Sequence, residues 1–489
     1  MHHGTGHGTR FAARAAAAAA LALFFAAAPD CEAAARTNRW VRREGADARA
    51  SVAGNWSLGH PPTAGETALF SARNPVSAIW DEAAPSEIGG LVLDDGWLAV
   101  LTLETSPSGP LRALKVAGDV SIRGGALTHP QCGSEPRWAL CVEAGGDFEV
   151  GPDAIVSASG KGFAPGAGPS PGRRPGWGAS HGGQGAPRAM DGNGLPALCP
   201  GSFLDPSLPG SGGTVAAGAG PGPGHGGGVV RIRAGGNVSV FGKIRADADS
   251  RDKGGVLLGG AAGGSVCIEA GGSFEFGPDA AITADGGDAF HDGGGGGGGG
   301  RIAIRAAGGP LDLGKFSGWS AQDRRRIRAW GGVGETRARS NSDADSHIRA
   351  APGTVYCELA GPDSVPGSGT LCVYGQHRPA LAATRLPGDG DGAAGAEDLR
   401  DGSLCLLDTA FVTLGGPMTV QKFGFSIHVR GALDLNGNVL TSSGAWNGYA
   451  DHVLETPGVH RSNDDRVFDL VSFGSGGSVV LRPYFKPAL

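Results

Sequence analysis

Two carboxylates at matching places in a repeated pattern are the first residues with chemistry to offer. Glu275 in GGSFEF and Asp312 in GGPLDL occupy the same position of their copies, and Glu149 and Ser239 occupy it in earlier ones. If successive copies pair as neighbouring parallel strands, ~4.8 Å apart, Glu275 and Asp312 stand side by side. Like charges directly opposite one another destabilise a sheet. Solvation, the nearby Lys315, a bound calcium ion or a raised carboxyl pKa would each relieve that repulsion. Two carboxyl groups about 5–5.5 Å apart are also the arrangement of retaining glycosidases. A solvated pair, a calcium site and a weak catalytic alternative therefore stand open together.

A second acidic group, Asp389, Asp391 and Asp398 with Gly392 between, has part of the spacing of a calcium loop. Such loops place oxygen ligands at positions one, three, five and twelve around a glycine at six. Here Pro387 holds the first position, the twelfth is Asp, and no helical pattern flanks the segment. An acidic surface turn is the favoured reading, with calcium as its rival. Beyond the first 35 residues seven cysteines remain, with no CxxC pair, so zinc has little support. Cys141 and Cys267 hold the same place in copies separated by the Arg231 copy. They should therefore lie two strands apart, roughly 9.6 Å, beyond the ~7 Å reach of a disulfide. Beyond the first 35 residues no pair of histidines has HxxxH spacing, and no cofactor is expected apart from the possible calcium.

The elements that must position these residues repeat. GVVRIRAGGNVSVFGKIRADA begins at Gly228, GSVCIEAGGSFEFGPDAAITADGG at Gly264 and GRIAIRAAGGPLDLG at Gly300, a step of 36 residues each time. Within a copy apolar and polar residues alternate, which means strands. Val230, Ile232, Val266, Ile268, Ile302 and Ile304 should face one core. Aligned first strands place Glu143, Arg233, Glu269, Arg305 and Glu358 in one outward column of alternating sign. In register, each neighbouring pair contributes ~0.2–1 kcal/mol.

Of 489 residues 91 are Gly, yet without the three-residue period of collagen, and the alternating strands argue against disorder. The net charge of −6 comes without a dense basic face, so nucleic acid is not an expected partner. Residues 1–35 read as a secretory signal: Arg10 and Arg14, an apolar run, then Ala33-Ala34-Ala35. No second long apolar run follows, so the mature chain should carry no membrane span. The remaining divisions are 36–135 as an N-terminal cap and first coils, 136–360 as Gly-rich repeats with a loop insertion at 161–225, and 361–489 as final coils or a β cap. The insertion should pack on the flank as a long irregular loop.

HGGQG at 181–185, PGSGG at 209–213, GGGVVRIRA, KIRADA and GGGGGGGGRIAIRA together resemble the Gly-rich, secreted or cell-surface parallel β-helix proteins often called adhesin-like. NWSLGHPPTAG from Asn55 is similar to the opening of bacterial surface β-helix proteins. The resemblance covers roughly residues 55–306. With the repeat it implies an all-β, single-stranded, right-handed parallel β-helix solenoid with three short strands per coil and long Gly-rich loops. It also implies a secreted or cell-surface location, with an extracellular glycan or surface component as partner. A structural or adhesive role is expected. The alternative is a polysaccharide-active lyase or hydrolase on the same pectin-lyase-like scaffold.

Overall fold

The structure is a computed structural model. It describes residues 36–188, 198–215, 224–249, 257–289, 294–308, 325–334, 348–359, 367–375, 382–386, 399–407, 410–416, 418–425, 432–434, 440–442, 468–470, 478–479 and 481–483. The expected signal at 1–35, Asp312 and the calcium candidates Asp389, Asp391 and Asp398 lie outside the described residues. The body of the chain is the unit Thr37–Leu489; of the unit Met1–Arg36 only Arg36 is described.

The repeat pairs as its period requires. Leu140–Ala144, Val229–Ala234, Ser265–Phe276, Arg301–Gly308 and Thr354–Leu359 lie side by side, parallel and in register. Glu87–Ile88 and Leu114–Val116 extend this row toward the N-terminus. A second row joins Gly90–Leu93, Val120–Ile122, Phe148–Val150 and Val238–Val240 to the distal half of Ser265–Phe276. The third row is a separate seven-stranded parallel sheet, from Ala78–Trp80 through Ile155–Ser157, Lys243–Arg245 and Ala281–Thr283 to Ile327–Arg328.

This arrangement corrects the expected single-stranded solenoid of three separate strands per coil. The first two rows belong to one mixed sheet of eighteen strands, and the third to the seven-stranded one. The Gly-Gly pair between rows one and two does not end pairing. Gly272 N–H still reaches Gly236 O at 2.8 Å, and Ser265–Phe276 runs through the pair unbroken. Antiparallel pairs also interrupt the repeat, notably Thr354–Leu359 with Thr370–Tyr374 and Thr214–Val215 with Leu257–Gly259. Among the described residues helix is confined to the 3-10 turn Ala53–Asn55 and to Arg325 and Arg326. No described helix is long and apolar enough to cross a membrane.

The inward residues of all three rows share one core. Val230, Ile232, Val266, Ile268, Ile302 and Ile304 pack there with Val156, Ile244 and Ile282, all buried. Burying each such side chain contributes about 1.5–3 kcal/mol. At the N-terminal end Trp40, Trp56, Trp80, Phe70 and Trp97 form a chain of ring contacts with centroids 5.1–6.0 Å apart. Arg49 bridges Ile79 there and occupies the outer edge of the seven-stranded sheet, where an open edge would invite other chains to pair.

The described parts of the Gly-rich returns and of the 161–225 insertion form a further layer joined largely by backbone hydrogen bonds. The insertion is irregular, as expected, but much of it is buried rather than lying loosely on a flank. Gly183 N–H reaches Gly299 O at 2.8 Å, Gly298 N–H reaches Ala179 O at 2.8 Å, and Gly263 N–H reaches Gly298 O at 3.0 Å. These segments thus satisfy their backbone groups across three different chain passages without forming strands. A Cβ on Gly298 would lie 1.9 Å from Gly183 O, so close approach excludes every other residue there. Gly308, by contrast, would meet nothing within 4 Å. Gly298→Ala is expected to destabilise the fold by at least the ~1–3 kcal/mol typical of overpacking. Gly308→Ala should be close to neutral, and urea unfolding of the two variants checks the contrast.

Candidate functional site

The outward face of the first row carries the charge column, and it is longer than the repeat alone reveals. Register places Glu87, Lys115, Glu143, Arg233, Glu269, Arg305 and Glu358 on consecutive strands, with the sign alternating at every step. Arg233 Nε donates to Glu269 Oε2 at 2.7 Å, and Arg305 Nη1 to Glu269 Oε1 at 3.3 Å. Arg305 Nε lies 4.0 Å from Glu358, which is only 2% exposed. Both oxygens of Glu269 are therefore engaged by guanidinium groups.

Two residues away along each strand runs a second column, Cys141, Arg231, Cys267, Ala303 and Tyr356, with Ala113 packed beside Cys141 at its end. Arg231 separates the two thiols, as the spacing predicts, and all seven cysteines beyond the first 35 residues are buried and outside any disulfide. Burial pushes the Cys267 thiol up to about 12 and the Cys141 thiol to about 11, against the pull of Arg231. Both stay protonated and unreactive at neutral pH.

Residues 199–208 of the insertion cross this face as a strap, gripped through their backbone. Arg301 Nη2 donates to Cys199 O at 2.9 Å and its Nε to Pro200 O at 3.2 Å. Arg305 donates to Leu204 O, and Ser265 Oγ to Leu208 O at 2.6 Å. Arg231 holds the Asp205 carboxylate at 2.7 Å and reaches Pro206 O at 3.4 Å. Phe203 is buried against Tyr356. Arg301 is wholly buried and bonds neutral oxygens, including Thr354 Oγ1 at 3.3 Å. Near it lies His181, held through Nδ1 to Gly263 O at 2.8 Å. Burial first, then the Arg301 charge, lowers the His181 pKa to about 3, so the imidazole is neutral.

Asp205, Cys267 and Glu269 bring three possible metal-ligand atoms within 4.8 Å of one another. The donor set does not fit a cation. Asp205 is held by Arg231, Glu269 by Arg233 and Arg305, and the thiol resists ionisation. An incoming metal ion would meet three guanidinium charges, and coordination needs the thiolate. The cluster instead ties the strap to the sheet.

Beside the strap the face is open. A cavity of about 170 Å³ is lined by Arg112, Ala113 and Cys141, by Glu143 and Arg233, and by Arg231, Cys267 and Glu269 of the strap-bound cluster. Arg112 is exposed and belongs to neither column. Sequence reasoning missed the strap and this notch. The paired arginines of VVRIRA and RIAIRA were the only signal, because a strap that binds through carbonyl oxygens has no side-chain motif.

The sequence-predicted carboxylates have a different setting. Glu275 is exposed at the far end of its strand, with Ser239 as its register partner on one side. Ser239 in turn pairs with Glu149, whose Oε2 accepts from Ser121 Oγ at 2.8 Å. Serines thus alternate with glutamates along this column and keep the described carboxylates two strands apart. Asp312 lies outside the described residues, so no described carboxylate stands beside Glu275. Other acidic residues serve the backbone. Asp119 and Asp147 accept the N–H of Asp147 and Asn237 on the following strand passage, at 2.8 and 2.6 Å.

Asp247 and Asp285 repeat this device after the third row. Asp285 N–H donates to Asp247 Oδ1, and Trp330 N–H to Asp285 Oδ1, both at 2.8 Å. Burial raises the Asp285 carboxyl, the Asp247 carboxylate raises it further, and Arg328 at 2.8 Å opposes both; the result is about 7.

No protein-family model matches the chain, and comparison with curated proteins and with solved structures likewise finds no match.

Two predictions follow from these carboxylates. The native pKa of Asp285 exceeds its unfolded value of ~4, so the native state binds the extra proton. Its stabilising contribution is complete below pH ~4 and is lost as pH rises through about 7. Asp285→Asn keeps the acceptor for Trp330 N–H, and its stability should fall less between pH 5 and pH 8 than that of the native chain in paired urea titrations. Glu275→Gln should change stability by less than ~0.5 kcal/mol, as for surface positions generally. Melting curves with and without calcium should show the same Tm shift, or none, in the native and variant proteins.

Proposed function

We propose that the protein is secreted or displayed at the cell surface, where it serves as a rigid structural or adhesive body that binds an extracellular glycan or surface component. The observation that carries this reading is the outward face of the large sheet. Its charges are paired along a seven-strand column, its arginines hold an extended strap through carbonyl oxygens, and one polar notch stays open beside that strap. Such a surface recognises an extended, oxygen-rich chain by hydrogen bonding. The Gly layer and the continuous core support it as a preformed surface, which lowers the ordering cost of binding.

The full chain, expressed in a secretory host, should be recovered outside the cells and should retain selected glycans on an array. Recovery only from the cytoplasm would overturn the location. Uniform failure to retain any glycan or intact surface polymer would overturn the binding role.

A further inference from the structure

We propose that the notch over Ala113 and Cys141 is a subsite for a single acidic sugar, with Arg112 as the group that receives its carboxylate. The inference rests on the glycan-binding reading above and adds a ligand class and a place.

Charge accounting singles out Arg112. Every carboxylate of the outward column has a cation on a neighbouring strand: Glu143 lies between Lys115 and Arg233, and Glu269 between Arg233 and Arg305. Asp205 is held by Arg231. Arg112 stands outside both columns, exposed on the cavity wall, with no hydrogen bond or ion pair among the described residues. Arg231 and Arg233 also line the cavity but are engaged by Asp205 and Glu269, so among the described lining residues Arg112 is the cation left to meet an incoming anion. The same face already holds one carboxylate by a guanidinium, that of Asp205 on Arg231 at 2.7 Å. A planar guanidinium matches a carboxylate in bidentate fashion.

The rest of the cavity favours a sugar over an acidic peptide. Its free volume of about 170 Å³ leaves room for a compact ring with its carboxylate. Ala113, Cys141 and Val142 in its lining are apolar or weakly polar, suited to the C–H face of a ring. Glu143, also in the lining, is an acceptor that hydroxyl groups satisfy and a second carboxylate does not. A uronic acid carries its carboxylate and its hydroxyls on one ring, so it offers a partner to both Arg112 and Glu143.

Calorimetric titration of the full chain with glucuronate, glucose and N-acetylglutamate tests the assignment. Glucuronate should bind at least tenfold more tightly than glucose or N-acetylglutamate. Arg112→Ala should remove at least tenfold of that affinity without changing Tm, because Arg112 supports nothing else. Equal binding of glucose, or unchanged glucuronate binding in Arg112→Ala, overturns the subsite. N-acetylglutamate binding as tightly as glucuronate assigns the notch to acidic peptides and overturns the sugar. If the chain retains glycans on an array while glucuronate fails to bind, the subsite falls and the broader reading stands. If neither occurs, both fall.

Discussion

Backbone approaching backbone too closely for any Cβ is the constraint on which the rest of this structure depends. The Gly-rich returns must pass from the third row to the first row of the next repeat, and the insertion must be threaded among them. At Gly298 the neighbouring carbonyl leaves 1.9 Å for a Cβ, and at Gly178 the Gly296 carbonyl leaves the same. Glycine loses more conformational entropy on ordering than other residues. Here that cost is offset by hydrogen bonds made to several passages at once, as where Ala179, Gly263 and Gly298 are linked in series. Because the layer is so tightly spaced, the rows it connects are held at one register, and the columns on the outward face inherit that precision.

The large sheet uses its two faces differently. Its inner face joins the seven-stranded sheet through Val230, Ile268 and Ile304 against Ile244 and Ile282. Its outer face is polar, yet partly buried beneath residues 199–208. A buried cation such as Arg301 is costly unless its donors are used. Three of its nitrogens find oxygen partners on the strap and on Thr354. The strap gains position from the arginines, and the arginines are satisfied by the strap. These contacts tie residues 199–208 of the insertion to the body of the protein.

Register was legible in the sequence because two signals agreed. The apolar alternation of VVRIRA, SVCIEA and RIAIRA and the 36-residue step place Ile232, Ile268 and Ile304 together, and they pair so. The separation of Cys141 from Cys267 by Arg231 followed from the same alignment. The sheet count was not legible. Gly271-Gly272 looks like a break to any reading based on strand preference, yet the Gly272 N–H still bonds the preceding repeat and the strand runs on through the pair. Burial of the insertion was hidden for a related reason. Glycine has no side chain, so a buried Gly-rich passage and an exposed one have the same hydropathy. Only one of the two carboxylates first noticed is placed: Glu275 lies at the end of a Ser–Glu column, and its supposed partner Asp312 is outside the described residues.

The alternating column does more than add small favourable energies. Each pair is worth ~0.2–1 kcal/mol, modest beside a core that contributes that much for a single buried methylene. Its greater effect is on order. A slip by one whole strand, or omission of one repeat during folding, would set Arg233 beside Arg305 or Glu143 beside Glu269. Because all repeats offer nearly the same apolar pattern, the core alone does not distinguish Ser265–Phe276 from Arg301–Gly308 as the neighbour of Val229–Ala234. Like charges in contact penalise the wrong choice, and the right choice puts Glu269 within reach of both Arg233 and Arg305. The ladder therefore supplies what a repetitive core lacks, a reason for each strand to prefer its own neighbour.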